Sequence, residues 1–169
     1  MGRPGIAASL FETISRAGIN LRLIATSEVK VSCVIDASLG NKGLRAVIEA
    51  FEIDDSQVSI NPVLNNIDAP EVRGVALDQG QAQLSVIQVP DKPGTAAALC
   101  SAMAEAGISL DTIVQSERKH KNGSRDISFT LKKEDRKKAD DALMPLLAQW
   151  PESNLKDGPA IARVSAVGA

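Results

Sequence analysis

The residues whose types and order could do chemistry are Asp91-Lys92-Pro93-Gly94-Thr95-Ala96, a turn that reads as the entry to a helix. A helix N-terminus offers free backbone N–H groups and a partial positive charge, so such a turn can hold a carboxylate while Asp91 meets an ammonium group. An amino acid carries both charges. Gly94 lets backbone approach a ligand, and the small Thr95, Ala96 and Ala97 keep the entrance clear. The plainer alternative is a good turn sequence with a capping aspartate, and one copy taken alone favours that alternative.

The chain holds a second copy of this unit. Pro4 to Ser27 aligns without a gap on Pro93 to Ser116, each residue pairing with the one 89 positions later, and 11 of the 24 pairs are identical. Function is therefore sought in what a pair of related modules can bind. In copy two, Gln83 to Val89 alternates as a half-buried strand does, and Pro93 suits the first turn of the helix that follows. Ala96, Leu99, Cys100 and Met103 share one helix face, matched in copy one by Ala7, Leu10, Phe11 and Ile14. Gly107 and Gly18 stand just past the helix ends, where positive φ is wanted.

A second strand is expected over 108–113 and 19–24, and a third over Val29 to Ile35 and Ile127 to Leu131. The basic segment Glu117 to Arg125 between the strands of copy two is most simply a long hairpin connection, with Asn122-Gly123 at its tip. A second helix closes each unit. Leu44, Val47, Ile48 and Phe51 form its stripe in copy one; Ala139, Ala142, Leu143, Leu146, Leu147 and Trp150 form it in copy two, with Asp135 as N-cap and a kink expected at Pro145. Short closing strands are expected at Val58 to Ile60 and Asn154 to Lys156. Each unit thus reads βαββαβ, an α/β (α+β sandwich) ferredoxin-like module.

One strand is out of place. Copy one has no strand before Pro4, whereas Ala162 to Val167 at the other end resembles Ala82 to Ile87, the first strand of copy two. The expected division is module one over 1–66, module two over 67–158, and a strand in 159–169. That strand either completes module one or belongs to a following module of a longer array.

Composition narrows the classes. With 169 residues, 44% of them hydrophobic, and a net charge of −2, the chain fits a cytoplasmic globular protein. No apolar run approaches the ~20 residues of a membrane span. One histidine and two separated cysteines, Cys33 and Cys100, leave little for a metal site or a nucleophilic triad, so no metal and no catalytic residue are expected. No Gly-rich phosphate loop follows a strand, and no cofactor is expected in this segment.

The runs PDKPGTAAALCSAMAEAGISLDTIVQS and RPGIAASLFETISRAGINLRLIATSEVKVSCVI resemble the paired ACT domains in the regulatory part of aspartate kinases. The tail IARVSAVGA resembles the strand that opens a partner ACT domain there. The Asp-x-Pro-Gly turn occurs in many ACT domains; Ala25 to Ser32 (ATSEVKVS) is more specific. The resemblance implies allosteric feedback control of the aspartate-family pathway by lysine and/or threonine bound between ACT domains. It also implies a homodimer through ACT–ACT packing and an attached catalytic kinase domain that uses ATP and Mg.

Carried over by motif, Val89, Asp91, Gly94, Thr95 and Ala96 would line one side of the effector site. Gln115 would reach in from the next strand, and Asn20 and Leu21 from the other module, through backbone groups. An equivalent second site, headed by Gly5, would involve Ile6, Thr26, Ser27, Ser109 and Leu110. This chain departs from the pattern at Gly2-Arg3, opposite Asp91-Lys92, and at Arg22, opposite Asp111. The second site is therefore expected to be weaker, differently specific or structural.

Other readings were open at this level. An ACT pair serving another amino-acid enzyme, such as the small subunit of acetolactate synthase, would bind a branched-chain amino acid. A ferredoxin-like RNA binder is disfavoured by three Phe, one Trp, no Tyr and an acidic balance. A small enzyme built on Asp91 or Glu117 lacks a second group beside either residue.

Overall fold

A computed structural model of the chain describes residues 5–26, 30–58, 74–115 and 118–167. Four helices occupy the expected places: α1 (Ile6–Arg16), α2 (Gly40–Phe51), α3 (Thr95–Glu105) and α4 (Arg136–Leu147). Both α1 and α3 stop in the same way. Ile19 N–H reaches back to Ile14 O (3.1 Å) and Ile108 N–H to Met103 O (2.9 Å), across Gly18 at φ 70° and Gly107 at φ 66°. Only a residue free to adopt positive φ closes this cap without strain, and the isoleucine that follows is buried in both copies.

The strands are β1 (Leu23–Thr26), β2 (Val31–Val34), β3 (Gly74–Asp78), β4 (Gln81–Val89), β5 (Thr112–Gln115), β6 (Arg125–Lys132), β7 (Asn154–Asp157) and β8 (Arg163–Val167). Six of them form one antiparallel sheet in the order β2-β1-β5-β6-β4-β7. Module two supplies β5-β6-β4-β7, the strand order of a complete ferredoxin-like unit, and module one supplies β1 and β2. The modules join where β1 meets β5, with Ile24 opposite Gln115 and Ala25 opposite Val114. Ala25 and Val114 are repeat equivalents, so a local two-fold axis passes between them. Around it α1 packs on α3, and the two modules share one core that includes Phe11, Ile14 and Ile24 with Leu99, Met103, Ile113 and Phe129. Cys100 lies in that core, where burial pushes its thiol up to about 12. Among the described residues no helix is long and apolar enough to cross a membrane.

Several expectations are corrected. The second strand of each module begins later than expected, at Leu23 and Thr112; Ile19, Leu21 and Ile108 are buried ahead of the pairing. Asp135 stands at the N-cap position of α4, at the end of a short 3-10 turn, Lys133–Asp135, but its side chain forms no cap. Val58 belongs to no element, and Ser59 and Ile60 lie outside the described residues.

The C-terminal strand does not lie beside β2. β8 pairs antiparallel with β3, a strand that the pattern did not reveal, with Val75 opposite Ala166 and Leu77 opposite Val164. Arg163 ties this ribbon down, 3.5 Å from Asp78 and 3.7 Å from Asp111. Val75, Leu77 and Val164 remain 72%, 62% and 70% exposed, so one ribbon face is apolar and open to contact.

Candidate functional site

The Asp91 turn is aimed by a defect in the strand before it. Between Val86 and Val89 the β4–β6 register slips by one residue, so Val86 faces Ile127 whereas Val89 faces Arg125. Such a bulge turns the next side chain over, and both Val86 and Val89 point into the core. Gln88 carries the strain at φ 57°. Its N–H donates to Asp126 Oδ1 (2.9 Å), and its carbonyl accepts from Ser153 Oγ (2.9 Å). After the bulge, Thr95 Oγ1 donates to Pro90 O (2.8 Å) and Gly94 sits at φ 94°, which closes the turn into α3.

Asp91 thereby arrives at the joint between modules, its side chain only 8% exposed. Oδ1 accepts from Asn20 Nδ2 of module one at 2.9 Å and lies 3.0 Å from Arg125 Nε. Oδ2 lies 2.5 Å from Lys119 Nζ. Burial alone would raise this carboxyl; hydrogen bonds from Lys119, Asn20 and Arg125 overcome it and hold the group below the usual carboxylate range. The acid therefore stays ionised, as an anionic seat for cations.

The remaining residues divide clearly. Gln115 Nε2, buried, donates to Leu21 O (2.9 Å), and Arg125 Nη1 donates to Arg22 O (2.6 Å). Two module-one carbonyls are thus held by module two, and Asn20 meets Asp91 through its side chain. Val89, Thr95 and Ala96 are buried walls of the same turn.

On the other side of the two-fold axis, Thr26 is the repeat partner of Gln115, and its hydroxyl accepts from Ile113 N–H at 2.7 Å. Gly5, at φ 104°, matches Gly94, and Ile6 stands 39% exposed. Ser109 and Leu110, partly buried, are the repeat equivalents of Asn20 and Leu21. Ser27 and the Gly2-Arg3 pair lie outside the described residues. Arg22 pairs with Asp36 at 2.6 Å, both groups well exposed.

Arg125 and Lys119 escaped the sequence reading, which treated their segment as a connection. The available signal was chemical: a buried aspartate needs a cation, and the nearest basic run in the same module is this one. Beyond Asp91 opens a cavity of about 660 Å3, walled by Gln88, Lys92, Lys119, Trp150 and Glu152 among others. Its lining residues, Asp91 among them, all belong to module two.

Comparison with known proteins agrees with this architecture. ACT-domain family models match residues 1–51 and 82–148. The aspartokinase of Thermus thermophilus is 44% identical over 98 residues, which cover 57% of this chain and 24% of the relative. The crystal structure of aspartate kinase from Synechocystis superposes with a TM-score of 0.86 at 45% identity, covering 100% of this chain and 28% of that one. The regulatory subunit of aspartate kinase from Thermus flavus gives a TM-score of 0.51 at 42% identity, over 57% of this chain and 63% of that one. The chain thus spans about a quarter of the length of the whole aspartokinases it matches. Two modules fused through equivalent strands, each matched by an ACT model, place this chain in the ACT-domain family, as a tandem pair of the kind that forms the regulatory region of aspartate kinases.

Proposed function

We propose that this ACT pair is the effector sensor of an aspartate kinase, binding lysine or threonine at the joint headed by Asp91 and transmitting feedback inhibition to a catalytic kinase domain. The observation that carries the reading is the buried, ionised Asp91, gripped by Asn20 of one module and Arg125 and Lys119 of the other. An ammonium group on Asp91 and a carboxylate at the N–H groups of the α3 entry match the two charges of an amino acid. Because the seat is built from both modules, a ligand there changes how the modules sit together. That differential affinity is what biases an attached domain. The catalytic domain supplies ATP, Mg and the phosphoryl transfer; this segment supplies the switch.

A homodimer fits the same picture. The apolar ribbon face of Val75, Leu77 and Val164 is a surface for a second ACT pair to cover. The test of the sensing role is a thermal-shift screen against the twenty amino acids, since only a ligand of the native state raises the melting temperature. Lysine or threonine should raise it, and the shift should vanish in Asp91→Ala. A screen in which no amino acid stabilises the chain would overturn the reading.

A further inference from the structure

Lys119 stands in the long β5–β6 connection of module two and ends on the group that defines the site. Its Nζ is 2.5 Å from Asp91 Oδ2, while Asn20 and Arg125 hold the other oxygen, Oδ1. Asp91 and Arg125 are 8% and 6% exposed, whereas Lys119 is 52% exposed. Of the two cations on Asp91, one is therefore built into the joint and the other comes in from solvent on a loop. A lysine side chain ends in a primary ammonium, the same group that an amino acid offers through its α-amine. The loop also has somewhere to go. Lys119 lines the cavity of about 660 Å3 that runs from Asp91 past Lys92 to Trp150.

Resting on the effector reading above, we propose that Lys119 is a tethered competitor of the effector, its ammonium occupying the Asp91 Oδ2 seat in the ligand-free chain until a ligand ammonium replaces it. On binding, Lys119 withdraws along the cavity wall towards Trp150. Arg125 stays, because its Nη1 is also fixed to Arg22 O at 2.6 Å. The design sets an affinity threshold: the effector must outbid a cation that is always present, so the site empties when effector is scarce. An exposed partner in such an ion pair contributes little, on the order of a fivefold change in affinity or less.

The test titrates L-lysine and L-threonine into the parent chain, Lys119→Met and Lys121→Met, following calorimetric heat and the fluorescence of Trp150, the chain's single tryptophan. Lys121 is an exposed lysine of the same loop, so it controls for the lost charge. Lys119→Met should bind about three- to fivefold more tightly than the parent while Lys121→Met matches the parent. The fluorescence change on binding should be large in the parent and largely absent in Lys119→Met. Binding seen only in Lys119→Met would support the proposal in its strongest form.

Equal or weaker binding in Lys119→Met, with the parent still binding, would overturn the competitor role and leave the effector reading standing. No binding in the parent or in either variant would overturn both.

Discussion

The two modules are built from one repeat but are not equally finished, and the difference separates scaffold from site. Helices α2 and α4 have the same length and occupy the same place in their units. α4 buries Ala139, Leu143 and Leu147 on the four-strand sheet of its own module; α2, over the two described strands of module one, buries only Gly43. An apolar stripe yields burial only where there is sheet beneath it. The same asymmetry holds at the turns. Module two presents an ionised aspartate with partners from both modules, whereas the repeat equivalent of Gln115 in module one is Thr26, whose hydroxyl merely ties off a backbone N–H. Under the proposed function, one half would sense and the other support.

The widest expected gap between modules is in packing. Leu143→Ala should destabilise the chain by about 3 kcal/mol, since a fully buried leucine leaves a cavity, while Val47→Ala in the half-buried stripe of α2 should lose under about 1.5 kcal/mol. Denaturant titration of both variants measures the gap, and equal losses would break the comparison. Next is the joint itself. Asp91→Ala removes the carboxylate that faces the buried Arg125 Nε and should lose about 2–3 kcal/mol by the same titration. Gln115→Ala, which strands the buried Leu21 carbonyl, should lose about 1–2 kcal/mol, and Thr26→Ala about 1 kcal/mol or less. A larger loss at Thr26 would reverse the assignment of the stronger half.

The smallest effect is on pH dependence. Asp91 is held below its ordinary value in the folded chain, so its contribution is complete above the unfolded carboxylate pKa of about 3.9 and fades as pH falls through the folded value. Asp36, Asp54 and Asp78 are lowered as well, by their own turn hydrogen bonds, so the parent alone does not isolate the joint. The stability difference between the parent and Asp91→Asn should be constant from pH 7 to about 5 and shrink below about 4. A difference that grows on acidification would contradict the ionised seat.

Much of this was legible from pattern. The helix stripes, the paired Gly18 and Gly107 and the βαββ core follow from local chemistry that repeats along the chain. What escaped depends on residues far apart in sequence. β3 is five residues long and is identified by its partner β8, some 90 positions away. The bulge at Gln88 hides inside a run that reads as simple alternation, and it is stabilised from Asp126 and Ser153. Arg125 reads as the end of a loop until Asp91 and the Arg22 carbonyl are placed around it. The motif located the Asp91 turn, but the cations that keep it ionised are set by the fold.

The central claim, that one half of the pair holds the working seat, is tested most directly by isothermal titration of L-lysine and L-threonine into the parent and Asp91→Asn. The account predicts one effector bound per chain in the parent and an affinity weakened about tenfold or more in Asp91→Asn, as loss of a charge-assisted bond implies. Two equal sites per chain, or unchanged affinity in Asp91→Asn, would contradict it.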